Sequence, residues 1–156
     1  MKKLIFAVMA VVALCACSGE REYLDFRGLS LGMSAKAMCD SLQSRGFVLD
    51  SNLTDESTYV LNNAEDLSRV DIVFQNDTIS DVLESYSASY NDSTTAIYRE
   101  RHKEYTDEYG WANMKHDGDL HKEAHFQTGG KGGLVLILHN TYSPTLQVRY
   151  SVNEVK

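Results

Sequence analysis

The chain is short of proline, of cysteine and of positive charge. Its one proline is Pro144, and its ten glycines are spread too thinly to make a long Pro- or Gly-rich linker. Of three cysteines, Cys15 and Cys17 close the N-terminal apolar segment, which leaves Cys39 without a partner for an internal disulfide. The fold must therefore rest on packing. Lys and Arg number 15 against 22 Asp and Glu. Without Lys2 and Lys3 the balance is 13 against 22, a net charge of −9. Nucleic acid and anionic lipid repel a domain of that charge, which argues against either as an electrostatic partner. Long apolar runs are lacking too. The run over 4–14 falls well short of the roughly 20 residues needed to cross a bilayer.

Catalytic signatures are equally scarce. No Gly-x-Ser-x-Gly, paired-carboxylate or Cys–His arrangement can be assigned. The stretch 127–133, Gln-Thr-Gly-Gly-Lys-Gly-Gly, has the composition of a phosphate loop but not its order. Lys131 is followed by Gly132 and a strand pattern, where a phosphate loop needs Ser or Thr and a helix. It reads as a hairpin loop. Cys39 sits at helical spacing with Met38 and Leu42 and reads as a small buried packing residue. The chain is expected not to be an enzyme and to hold no cofactor.

What is present begins with Lys2, Lys3 and the apolar run 4–14, a secretory signal peptide by charge, length and small-residue ending. Leu14-Cys15-Ala16-Cys17 resembles a bacterial lipobox. Ala16 precedes Cys17 and Leu14 stands three before it, as the family pattern asks, whereas Cys15 follows the bulky Leu14. The resemblance implies that Cys17 is diacylated, becomes the new N-terminus and is acylated again. Ser18 in the next position implies sorting to the outer membrane. Each buried methylene adds about 0.8 kcal/mol, so three acyl chains hold far more firmly than one. The expected organisation is a signal peptide over 1–16, a lipidated cysteine and tether over 17–25, and one α+β domain over 26–156.

Within that domain, residues 26–34 read as an extended lead-in with turns at Gly28 and Gly32. Ser34 caps a helix with Ala35, Met38, Cys39 and Leu42 on one face, and Gly46 stops it. Strands are predicted over 47–52, 58–62, 69–75 and 78–86, with Asn76-Asp77 as a tight turn. Asp92 or Ser93 caps a second helix, which presents Tyr98, His102, Tyr105 and Tyr109 on one face and stops at Gly110. Four more strands are predicted over 111–116, 119–128, 134–140 and 146–152, with Asp117-Gly118 as a hairpin turn.

This order is helix and four strands, twice. At an offset of 64, Gly46 lands on Gly110 and Phe47 on Trp111. Val70, Ile72 and Phe74 land on Leu134, Leu136 and Leu138, Val82 on Leu146, and Tyr86 on Tyr150. The pattern predicts repeats of about 26–90 and 91–156 in one antiparallel sheet with both helices on one face, and strand 134–138, apolar on both faces, is expected to be central. The layout resembles the β-lactamase-inhibitor-protein-like fold, and the Gly32-Met33-Ser34 helix entry is similar to that of barrel-assembly-type lipoproteins. The whole resembles small Bacteroidetes lipoproteins. The resemblance implies an outer-membrane, lipid-anchored module, periplasmic or surface-facing, that binds a protein and does no chemistry.

The face left open by the helices is the candidate binding surface, with Arg149, His139, His121 and Glu123 on it. All five histidines lie between His102 and His139. The competing reading is a periplasmic enzyme or metal-binding protein that uses the histidine-rich hairpin 116–125. On a strand, however, His121 and His125 stand roughly 13 Å apart, too far for one ion. Asp77-Thr78-Ile79 and Asp92-Ser93-Thr94 resemble the Bacteroidetes O-glycosylation motif, which makes Thr78 and Ser93 expected sites at turns. Asp40-Ser41-Leu42 also matches but falls inside the first helix.

Overall fold

A computed structural model describes residues 23–87 and 91–153. The expected signal peptide and Cys17 lie outside them. The described chain opens with a hairpin of β1 (Asp25–Phe26) and β2 (Leu29–Ser30). Its two turn residues, Arg27 and Gly28, both take positive φ, 50° and 74°. That is the mirror-image turn that suits a two-residue hairpin, and an arginine in it is disfavoured unless something else holds it.

The first helix, α1 (Ala35–Gln43), starts where expected. Ser34 is extended, and its hydroxyl accepts from the Ala37 N–H at 3.2 Å. Ala35, Met38, Cys39 and Leu42 form its buried side. The helix stops because Gly46, at φ 92°, turns the chain left-handed. The Phe47 N–H then donates to the Leu42 carbonyl and the Gly46 N–H to that of Gln43, a paired closure of otherwise orphaned carbonyls. Burial pushes the Cys39 thiol above its ordinary pKa, as befits a packing residue.

Strands β3 (Val48–Leu49), β4 (Thr58–Asn63), β5 (Ser68–Gln75) and β6 (Thr78–Ser87) follow. Then come α2 (Asn91–Tyr109) and strands β7 (Asn113–Asp117), β8 (His121–Gln127), β9 (Gly133–His139) and β10 (Thr145–Ser151). The eight strands from β3 onward form one sheet of order β3-β4-β5-β6-β10-β9-β8-β7, and every neighbouring pair is antiparallel. The protein is therefore α+β, mostly sheet with two helices.

Some expectations need correction. β3 has two residues rather than six, because Asp50 makes a turn, its carboxylate accepting from the Asn52 N–H at 3.0 Å. Helix α2 already contains Asn91, so neither Asp92 nor Ser93 is its cap. Ser93 lies in the first helical turn rather than ahead of it. Phe47 and Trp111 are not equivalent in burial, at 5% and 87% exposed. Strand β9 is interior, but the middle pair of the sheet is β6 and β10.

One row of side chains crosses the whole sheet. Registered neighbours run Leu49, Leu61, Val70, Glu84, Val148, Leu136, Ala124 and Met114. The six from Leu61 to Ala124 are fully buried. Both helices pack over this face, α1 on β4 and β5, α2 on β8, β9 and β10. Met38 and Leu42 from α1, and Tyr98 and Tyr105 from α2, join the same core cluster as the sheet residues. The β1–β2 hairpin contributes Leu24, Phe26, Leu29 and Leu31 to that cluster. Phe26 meets Tyr150 edge-on at 5.3 Å.

The glycine-rich stretch is the β8–β9 hairpin loop. Gly129 and Gly130 take positive φ, and a Cβ on Gly132 would lie 2.1 Å from the Ser151 carbonyl oxygen. The glycines there serve turn geometry and a close backbone approach, not phosphate.

Candidate functional site

Strand alternation sends Arg69, Asp71, Asp81, Leu83, Gln147, Arg149, Val135 and Ile137 to the face away from the helices. His121, Glu123, His125 and His139 share that face on β8 and β9. The four residues expected on the binding surface are thus on one face, but not together. His121, His139 and Glu123 cluster toward the β7 edge, and Arg149 stands on β10, one strand further in.

The histidines form a stack. His121 lies between His116 and His139, with ring centroids 4.6 Å from each. Glu123 bonds His125 Nε2 at 2.5 Å and lies 3.9 Å from His121 Nε2. The hydrogen bond from His125 holds the Glu123 carboxyl below its ordinary pKa. Among the described residues, no three His, Cys, Asp or Glu side chains converge as metal ligands.

Arg149 is spoken for. Its Nε donates to Asp81 at 2.8 Å across the β6–β10 seam, and the Ser151 hydroxyl donates to the same oxygen at 2.8 Å. Burial works to raise the Asp81 pKa, but Ser151 and Arg149 outweigh it, and the carboxyl sits below its ordinary value. The sign for stability follows. A depressed carboxylate stabilises the fold above its unfolded pKa of about 3.9, and that share is lost as pH falls through the folded value. Titrating Asp81 by carboxyl carbon shift should therefore give a midpoint below about 3.9, moved upward by Arg149→Ala. A midpoint unmoved by the substitution would mean that the pair has no such effect.

Arg69 likewise pairs with Asp71 at 2.7 Å. The charges of the open face are largely balanced within it, and half-buried Leu83 and Ile137 lie between them. Thr78, exposed at the start of β6, follows the positive-φ turn Asn76-Asp77 and remains open to modification, as does exposed Ser93. Ser41 is inside α1, its hydroxyl donating to the Ala37 carbonyl at 2.7 Å.

A second cluster lies on the helix side, and the sequence reading passed over it. Glu84 is the one charged member of the buried transverse row. Its Oε1 accepts from Arg27 Nε at 2.8 Å. Arg27 reaches in from the hairpin turn and also donates to Asp66 at 2.7 Å. Arg101 from α2 lies 3.8 Å from Glu84 Oε2 and donates to the Tyr86 hydroxyl at 3.2 Å. Burial opposes the Arg27 charge, but Asp66 and Glu84 outweigh it and hold the guanidinium above its ordinary pKa. Tyr105 and Tyr150 meet through their hydroxyls at 2.6 Å beside this cluster, and burial pushes both phenols up. The sequence signal was there to be seen: Glu84 stands in phase with Val82 and Tyr86, on the side of the strand that should be apolar.

With this geometry in view, comparison with protein-family models, curated proteins and solved structures finds no match to the chain.

Proposed function

We propose that this chain is a lipid-anchored, non-catalytic binding module of the bacterial outer membrane, tethered through Cys17, which meets a protein partner on its open sheet face. The observation that carries the reading is that both helices and the β1–β2 hairpin pack on one side of the sheet. The other side is left as a broad surface of internally paired charges with apolar residues between. A surface of that kind suits a protein partner of mixed polarity better than a polyanion. The anchor reading draws on chain length too. Tyr23, where the described residues begin, is six residues past Cys17, and six extended residues reach at most about 20 Å. The domain would thus be held close to its membrane.

We further propose that the domain is built from two related units, 26–90 and 91–156. The strand order supports this, since each half runs inward to its own last strand, β6 or β10. Glu84 and Val148 add to it: they pair directly across the seam and are also 64 residues apart, the same offset that aligns the halves. A two-fold axis relating the halves would pass through that pair. The metal-binding alternative has less behind it, since the histidines stack rather than converge.

Two experiments test the proposal. Cys17→Ser should release the protein from the membrane fraction or block its processing; membrane attachment that survives Cys17→Ser but not Cys15→Ser would name the wrong cysteine. Photo-crosslinkers at Gln147 and Arg149 should capture one envelope protein in intact cells, and a crosslinker at Lys103 on the exposed side of α2 should not. Capture from Lys103 alone would put the binding surface on the wrong side.

A further inference from the structure

A cleft of about 280 Å³ opens beside Glu84, between the hairpin turn, α2 and β10. Ligand pockets for larger molecules run to roughly 300–1,000 Å³, so this one fits a ligand of few heavy atoms. Its charge is lopsided. Asp25, Glu84, Glu104 and Glu108 line it against Arg27 and Arg101. Both arginines are already engaged, Arg27 with Glu84 and Asp66, Arg101 with Tyr86 and Glu104. Tyrosines 105, 109 and 150 supply aromatic wall.

Glu84 is 0% exposed, and its Oε2 has no hydrogen-bond partner among the described residues. An acceptor buried without a donor costs free energy, and a charged one costs more. The nearest cation, Arg101, stops 3.8 Å away with its own hydrogen bonds directed elsewhere. The site therefore calls for a donor, and the excess of carboxylates calls for that donor to be cationic.

We propose that this cleft binds a small primary amine, with an ammonium N–H donating to Glu84 Oε2 and the alkyl chain against the tyrosine rings. The ammonium enters beside Arg101, whose side chain is 27% exposed and stands 3.8 Å from Oε2. The acids Glu104 and Glu108, both exposed on α2, offset the added positive charge. Tyrosine faces favour a cation further. The site is independent of the protein-binding reading, since it lies on the opposite side of the sheet.

Calorimetry on the full mature chain with 1,4-diaminobutane tests the proposal. Saturable one-to-one binding is expected, and tetramethylammonium, with the same kind of charge but no N–H, should not compete. Glu84→Gln should weaken the diamine by at least about tenfold, the usual value of a hydrogen bond to a charged group. Glu108→Gln, on the exposed rim, should weaken it about two- to fivefold without disturbing the fold. If Glu84→Gln does not fold, Glu108→Gln and the tetramethylammonium comparison decide the matter. No saturable binding, equal binding of tetramethylammonium, or an affinity unchanged by the substitutions would each overturn the proposal.

Discussion

Arg27→Met should lower the unfolding free energy by about 3–5 kcal/mol, the cost of leaving one member of a buried ion pair without its partner. Glu84 is fully buried, and Arg27 supplies the only hydrogen bond to its Oε1 among the described residues. Arg101 does not fill the gap, because it stands off at 3.8 Å from the other oxygen. Methionine keeps most of the length and apolar stem of arginine, so the loss reads the charge rather than a cavity. Arg27 also holds a left-handed turn that its residue type disfavours, and Arg45 pins that turn by donating to the Arg27 carbonyl at 2.7 Å. The control is the double change Arg27→Met with Glu84→Leu. Replacing both charges with apolar groups of similar volume is often close to neutral, so the double variant should recover most of the lost stability. Urea unfolding of the parent and the two variants checks this. A single variant within about 0.5 kcal/mol of the parent would mean that water reaches Glu84 and the pair is not a buried one.

Leu136→Ala should cost about 2–5 kcal/mol, the range for deleting most of a buried leucine side chain. Leu136 is 0% exposed and sits between Val148 and Ala124 in the transverse row. More telling than the size is the reach of the effect. The row passes without a break from Leu49 at one edge to Met114 at the other. Loss of packing in β9 should therefore lower the stability of the N-terminal strands as well. Tyr59 and Phe74 stack at 4.6 Å in the N-terminal half, and Tyr105 meets Phe126 at 5.5 Å in the C-terminal half. Ring proton signals from the two clusters should lose their native shifts at one and the same urea midpoint. Separate midpoints would divide the chain in two.

The secondary structure was largely legible because local signals and packing agree. Ser34 caps, Gly46 and Gly110 stop helices at positive φ, and Asn76-Asp77 turns a hairpin. Each of these depends on one or two residues and on no distant contact. The alternation in β5 and β10 also reads through, because the helices cover one face and leave the other. What failed was whatever depends on distant neighbours. Trp111 lands on Phe47 at the offset of 64, yet it is 87% exposed, because it stands just ahead of β7, the edge strand of the sheet. The short β3 is the local exception: Asp50, a polar residue at the end of an apolar pattern, turns the chain by accepting from the Asn52 N–H.

The buried cluster shows the same limit more sharply. Glu84 stands in phase with the buried Val82 and Tyr86, but what lets a carboxylate sit there is Arg27, 57 positions earlier, brought against it. No periodicity carries that pairing. The offset of 64 nevertheless gave a hint, since it sets Glu84 opposite Val148, a charge where the other half has valine. The open face was found by pattern, but the pairing of Arg149 with Asp81 across the seam needed the register of β6 with β10.

The central claim is that the halves share one sheet and one core, closed along the β6–β10 seam. Native-state amide hydrogen exchange tests it most directly. The interior amides of β5, β6, β9 and β10 should exchange through one global opening, with a common free energy and a common denaturant dependence. Two distinct free energies, one for 23–87 and another for 91–153, with unprotected amides along the seam, would contradict it.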